Sequence, residues 1–259
     1  MKIIESKQNP IFKKALKIIH DRNKFPDLIV VEGAKLIREA LQAGLKPHTF
    51  FCSKKKDNSL KELENLGFEV TPALFRELTT VTSPDEGICV FARPAFKALD
   101  KVLISAKLLV IIDRLQDPGN IGTILRTCEA MGANAAIILK GSCSHLNHKA
   151  IRAAMGSTFR LPAYDQIDIE NLFELLQKFE FTTICADMSG QKLTQFSFPD
   201  RTALFLGNEG QGVAEKIKKV CSMKLAIPMC GQVESLNVAT SAAICLYEWA
   251  KQHQKVLKA

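Results

Sequence analysis

Apolar positions change spacing repeatedly through the first hundred residues. Ile11, Phe12, Ala15, Leu16 and Ile19 recur at helical intervals and predict a helix over Ile11–Ile19. Leu28–Val31 is a short β-rich run, and Gly33 opens a helical stretch, Ala34–Ala43, that Gly44 stops. A strand at Thr49–Cys52, a helix at Leu60–Leu66, a strand at Phe68–Val70, a helix at Pro72–Leu78 and a strand at Gly87–Ala92 follow. These predict a small α/β domain over residues 1–95. Pro94–Lys107 has no clear period, which places a linker at 96–107.

The pattern restarts strongly at residue 108 and continues to 259. Strands are expected at Leu108–Asp113, Ala135–Leu139, Phe181–Ala186, Ala203–Leu206 and Lys224–Pro228, with Phe159–Ala163 extended. Helices are expected at Ile121–Met131, Asn147–Met155, Leu172–Phe179, Val213–Lys219 and Leu236–Trp249, the first capped by Gly132. Strands alternating with helices predict a mostly parallel sheet covered on both faces.

Composition narrows the class. Of 259 residues 47% are hydrophobic and 24% charged, which excludes disordered and low-complexity chains. Apolar runs such as Leu108–Ile112 and Ala135–Leu139 stop at five residues, far short of the roughly 20 that a spanning helix needs. Met1–Lys14 has neither the apolar core of a signal peptide nor the acid-poor composition of a transit peptide. The eight cysteines form no C-x-x-C pair and lie mostly in apolar stretches. They are expected as reduced, buried thiols in a cytoplasmic protein. His145 and His148, the one close histidine pair, have no evident third ligand and are expected at the surface, so no metal is expected. The net charge is +8. Residues 1–103 hold 18 Lys and Arg against 13 Asp and Glu, and the remainder 17 against 14. The smaller part is thus the more basic, a hint of a polyanionic partner.

Three segments each follow a predicted strand, where ligands of open parallel sheets bind. In Asp117–Arg126, Pro118-Gly119 makes a tight turn and Asn120 is a candidate helix cap. Arg126 follows inside an otherwise apolar helix, and its planar fork suits phosphate. An ordinary turn and cap with a solvated arginine would use the same residues. Leu206–Gly212 spaces its glycines G-x-x-G-x-G. That is the wrong order for a dinucleotide fingerprint, and no acidic residue lies about 20 positions on. No Walker A lysine pattern occurs, so nicotinamide and P-loop chemistry are both disfavoured. In Ile227–Val238, Ser235 is a candidate cap for the last helix and Asn237 falls in its first turn.

Taken together, D-P-G-N-I-G-T-I-L-R-T (Asp117–Thr127), L-G-N-E-G-Q-G (Leu206–Gly212) and I-P-M-C-G-Q-V-E-S-L-N-V (Ile227–Val238) resemble the three signature motifs of the SpoU/TrmH family of RNA ribose 2′-O-methyltransferases, in the SPOUT superfamily. Ile151–Phe159 is similar to the stretch between motifs, with Ala154 where serine is usual. Ser6, Asn9 and Val31–Lys35 resemble the family's RNA-binding domain, itself similar to a ribosomal protein. The resemblance implies a C-terminal α/β SPOUT domain with a deep trefoil knot, a homodimer, and S-adenosyl-L-methionine as methyl donor. It implies cofactor contacts from Gly207, Asn208, Gly210, Ile227, Met229 and Leu236. It makes Arg126 the catalytic residue near an RNA phosphate, with Asn120, Glu209, Ser235 and Asn237 orienting the site. Whether Arg126 acts as a general base or as a cation stabilising the alkoxide stays open, since arginine normally keeps its proton. The added basic domain favours ribosomal RNA (23S-type) as substrate, with tRNA the alternative. A non-catalytic RNA-binding or ribosome-assembly protein is the rival of another class. Lys54–Lys56 would be either a phosphate contact or a solvated loop.

Overall fold

The computed structural model describes residues 1–20, 24–53, 58–80, 87–208, 210–233 and 235–253. Lys54–Lys56 and Glu209 lie outside them. The chain divides into two compact units, Met1–Ala95 and Phe96–Ala259.

The first unit runs β1 (Lys2–Ile4), α1 (Pro10–His20), β2 (Leu28–Glu32), α2 (Ala34–Gln42), β3 (Pro47–Cys52), a 3-10 segment (Asn58–Leu66), β4 (Gly67–Val70), α3 (Pro72–Leu78) and β5 (Ile88–Ala92). Local chemistry sets the helix starts. Asn9 Oδ1 accepts from the Ile11 amide at 2.9 Å ahead of α1, and Thr71 caps α3 with Pro72 in its first turn. The sheet order is β1-β4-β3-β5-β2. Strands β1, β4 and β3 are parallel, whereas β5 is antiparallel to both β3 and β2. Phe12, Ala15 and Ile18 of α1 and Leu74, Phe75 and Leu78 of α3 pack on Val30, Phe51 and Val90. Leu60–Leu66, expected as a helix, is a 3-10 segment with non-helical backbone at Leu60 (φ −126°, ψ 31°).

The second unit runs α4 (Leu99–Leu103), β6 (Leu108–Ile112), α5 (Pro118–Ala130), β7 (Ala135–Leu139), α6 (His148–Ala154), α7 (Ser157–Arg160), β8 (Ala163–Ile167), α8 (Ile169–Lys178), β9 (Thr182–Lys192), β10 (Thr202–Leu206), α9 (Glu215–Val220), β11 (Met223–Ala226) and α10 (Val238–Gln252). The segment 96–107, expected as a linker, carries α4 and belongs to this unit. Leu103 and Ala106 are buried in its core, an anchoring too short to show a period. The extended backbone expected at Phe159–Ala163 begins only at Leu161. Met155 (φ 50°) and Gly156 (φ 93°) end α6 and restart the chain as α7.

All six strands are parallel, in the order β11-β9-β10-β6-β7-β8. The pleat of β6 divides the core. Leu108, Val110 and Ile112 face Ile124, Leu125, Leu246 and Trp249 of α5 and α10. Leu109 and Ile111 face Leu103, Leu172, Leu176 and Ile217 of α4, α8 and α9. A sheet buried on both faces explains why its strands read as unbroken apolar runs. Helices α5 and α6 approach closely at Gly122, where a Cβ would run into the Ala150 carbonyl and the Ala153 side chain.

His145 is 2% exposed, so the expectation of a surface histidine fails. Its Nδ1 lies 2.7 Å from Asp165 Oδ1, and the Ser144 hydroxyl donates to the other carboxylate oxygen at 2.6 Å. The pair ties the β7–α6 loop to β8, a tertiary contact without a sequence signature. Of the cysteines, all free, Cys230 is exposed and Cys143 and Cys221 are half-buried, against the expectation of burial. Burial opposes ionisation of Asp165, but the His145 ring together with the hydrogen bonds from the Ser144 hydroxyl and the His145 amide outweighs it and lowers its pKa. The stability that this carboxylate contributes is therefore present above the usual carboxylate range and lost as pH falls through its lowered pKa. Asp165→Asn should cost about 1.5–3 kcal/mol in urea denaturation at pH 5, and the gap to wild type should narrow toward pH 3. A gap of the same size at both pH values would contradict the assignment.

Candidate functional site

Strands β6, β7 and β8 run outward in chain order, and β10 then enters between β6 and β9. This is a topological switch point, where ligands of such sheets bind. Beyond the carboxyl ends of β10 and β11, against the middle of β9, lies a cavity of about 570 Å³, a size suited to a small molecule. Leu206, Gly207, Asn208, Gly210, Gln211 and Gly212 form one wall, and Leu225, Ile227, Met229, Ser235, Leu236, Val238 and Ser241 another.

The first wall is a closed hairpin. The Asn208 amide donates to the Gly212 carbonyl at 3.0 Å and the Gly212 amide to the Asn208 carbonyl at 2.9 Å. Asn208 Oδ1 also accepts from the amides of Gly210 and Gln211. A Cβ at position 207 would run into the backbone of Gly212 and Val213, so the hairpin closes only over glycine. The second wall is mostly apolar.

Ala186–Ser189, in the middle of β9, complete the lining together with Lys218 of α9. Burial opposes ionisation of Asp187, but the Lys218 ammonium, 2.7 Å away, and the Ser189 hydroxyl and amide hold its pKa well below the usual range. Lys218, paired also with Glu215, is correspondingly raised. The sequence reading missed this wall. The expected strand, Phe181–Ala186, stops before Asp187, whereas β9 runs on to Lys192, and no local pattern marks that extension.

Gly207, Asn208, Gly210, Ile227, Met229 and Leu236 thus all line one cavity, and Ser235 lines it too. Asn120 and Asn237 come together beside it: Asn237 Nδ2 donates to Asn120 Oδ1 at 3.1 Å, joining the starts of α5 and α10. Neither helix is capped as expected. Asp117 caps α5, its Oδ1 accepting from the Gly119 amide at 3.0 Å, because the helix already begins at Pro118. Asn237, and not Ser235, caps α10, accepting from the Ala239 amide at 2.8 Å. Asp117 also pairs with Lys149 at 2.6 Å, which lowers its pKa. Arg126 is exposed on α5 and does not line the cavity. Among the described residues no group of three His, Cys, Asp or Glu side chains could hold a metal ion. No helix among them is long and apolar enough to cross a membrane.

Residues 107–247 match the model of the SpoU rRNA Methylase family. The chain belongs to this family. Among its relatives is the 23S rRNA (guanosine(2553)-2′-O)-methyltransferase RlmP of Bacillus subtilis (strain 168), 31% identical over 250 residues, covering 95% of this chain and 98% of the relative. Another is the 23S rRNA (uridine(2479)-2′-O)-methyltransferase of Streptomyces viridochromogenes, 28% identical, covering 95% and 91%. The crystal structure of the SpoU methyltransferase AviRb from that organism, in complex with AdoMet, superposes with a TM-score of 0.84 at 27% identity, covering 95% of this chain and 98% of the other.

In this SpoU chain, Asn237→Ala removes both a helix cap and the link to Asn120. Thermal or urea denaturation should show a loss of about 1 kcal/mol, the usual worth of a cap. A loss under about 0.3 kcal/mol would mean that the α10 start is held by other contacts.

Proposed function

We propose that this chain is an S-adenosyl-L-methionine-dependent RNA ribose 2′-O-methyltransferase acting on ribosomal RNA. The observation that carries this reading is the single cavity that the second and third family motifs line together, in a chain similar along its length to 23S rRNA enzymes and to a structure that holds AdoMet. The residues present fit that cofactor. Ile227 and Leu236 offer apolar surface for an adenine ring, and Gly207, Gly210 and Gly212 of the hairpin offer backbone that carries no side chain. Asn208, Gly210 and Met229 complete its contacts. When bound, the cofactor supplies an electrophilic sulfonium methyl.

The chain's own residues must then present a ribose hydroxyl and stabilise the charge it develops. Arg126 is exposed, on the face of α5 that also carries Thr123 and Ala130. Arginine keeps its proton in proteins, so the role that suits Arg126 is a cation meeting the RNA phosphate and the developing alkoxide. Asn120, Asn237, Ser235 and Glu209 would orient the substrate around it. Because Arg126 stands off the cavity of its own chain, a homodimer in which each α5 faces the partner's site gives it a place to act. The C-terminal trefoil knot belongs to the same reading. It is supported by membership of the SpoU family, whose model matches residues 107–247.

The first unit, residues 1–95, would serve as the RNA-binding domain, resembling a ribosomal protein. Its share of basic charge supports this, as does likeness to 23S rRNA enzymes that extends through it. That full-length likeness favours ribosomal RNA over tRNA, and with it a cytoplasmic location.

Mass spectrometry of ribose-methylated nucleosides from cells with and without the gene tests the function. One 2′-O-methylated nucleoside should disappear from the large ribosomal RNA. Disappearance from tRNA instead would move the substrate, and no change in any RNA would favour a non-catalytic protein. Arg126→Ala should lower single-turnover methylation about 10²–10³-fold, the scale for loss of one transition-state donor. A near-wild-type rate would remove Arg126 from the mechanism.

A further inference from the structure

Arg114 follows β6 and precedes the first motif, and its backbone is left-handed (φ 56°). For a residue other than glycine this conformation is uncommon and persists only where its surroundings fix it. Here they do. The left-handed turn aims the Arg114 carbonyl at the cavity hairpin, where Asn208 Nδ2 donates to it at 3.1 Å. It also turns the guanidinium back on the same hairpin. Nη1 donates to Gln211 Oε1 and Nη2 to the Gly212 carbonyl, both at 3.2 Å. Nε contacts both carboxylate oxygens of Asp113, at 3.2 and 3.1 Å. Asp113 is itself buried and accepts from the Ala214 amide at 2.9 Å, at the far end of the hairpin.

The hairpin is therefore held from behind at Asn208, Gln211, Gly212 and Ala214, all through one residue and its buried neighbour. Arg114 does not line the cavity, whereas Asn208, Gln211 and Gly212 do. We propose that Arg114 is a positioning residue for cofactor binding, holding the hairpin in the shape that forms the cavity wall. This rests on the functional reading above. Lysine could keep the charge beside Asp113 but could not reach the hairpin with two fixed donors. Glycine would relax the backbone and lose every side-chain bond. The two substitutions thus separate charge, backbone strain and hydrogen-bond geometry.

The test is calorimetric binding of S-adenosyl-L-methionine to the full-length wild type, Arg114→Lys and Arg114→Gly, with the folded fraction of each checked by circular dichroism. Methylation at saturating cofactor is measured alongside. The dissociation constant should rise about 10-fold in both variants, the effect of losing two ordinary hydrogen bonds. KM for the cofactor should rise with it, while kcat at saturation stays within about threefold of wild type. A merely structural role would lower the folded fraction and leave the affinity of the folded molecules unchanged. Affinities within twofold of wild type, or tighter binding by Arg114→Gly, would overturn the inference. A wild type that binds no cofactor at millimolar concentration would overturn the functional reading itself.

Discussion

The parallel direction of all six strands in the second unit is the constraint from which the site follows. With one direction, every strand delivers its carboxyl end to the same edge of the sheet. Loops far apart in sequence then meet there without any contact dedicated to gathering them. Entry of β10 between β6 and β9 opens the crevice at that edge. The hairpin after β10, the middle of β9 and the loop after β11 line it, and the starts of α5 and α10 stand beside it, linked by Asn120 and Asn237. Burial of β6 on both faces keeps the strand ends in register. Leu109 and Ile111 are fixed by one helical layer, and Leu108, Val110 and Ile112 by the other.

On that rigid edge, one wall of the cavity is a glycine-rich hairpin. The hairpin from Gly207 to Gly212 presents amides and carbonyls, and its closure depends on the missing Cβ at 207. Backbone walls hold their shape only if something behind them is fixed. Asp113 is buried and satisfied by Arg114 and by the Ala214 amide. A carboxylate in such a place is costly to leave unpaired, so the hairpin, the strand end and the left-handed turn at Arg114 stand or fall together. Asp187 and Lys218 add a paired, charged portion to a lining that also holds the apolar Ile227 and Leu236.

Legibility in the sequence followed locality. The β6 and β7 strands were plain because burial on both faces makes unbroken apolar runs, and α3 was plain because Thr71 and Pro72 mark its start. The three motifs were legible because glycine, proline and asparagine carry local turn chemistry. Their second and third members prove to line one cavity. Capping was misassigned within those motifs, to Asn120 and Ser235 instead of Asp117 and Asn237, since several polar residues compete within a few positions of each helix start. Contacts across the sheet left no trace in local pattern. The buried His145–Asp165 pair, the Asp187–Lys218 wall and the grip of Arg114 on the hairpin each join residues at least 20 positions apart. α4 was missed because five residues are too few to show a period.

The most direct test of a single cofactor pocket built from these loops is a crystal structure with S-adenosylhomocysteine bound. Density for the adenosine should lie between the Gly207–Gly212 hairpin and the Ile227–Leu236 wall, with the homocysteine tail leading out of the same cavity. Density elsewhere on the second unit, such as at the start of α5, would contradict it, as would an empty cavity at millimolar ligand.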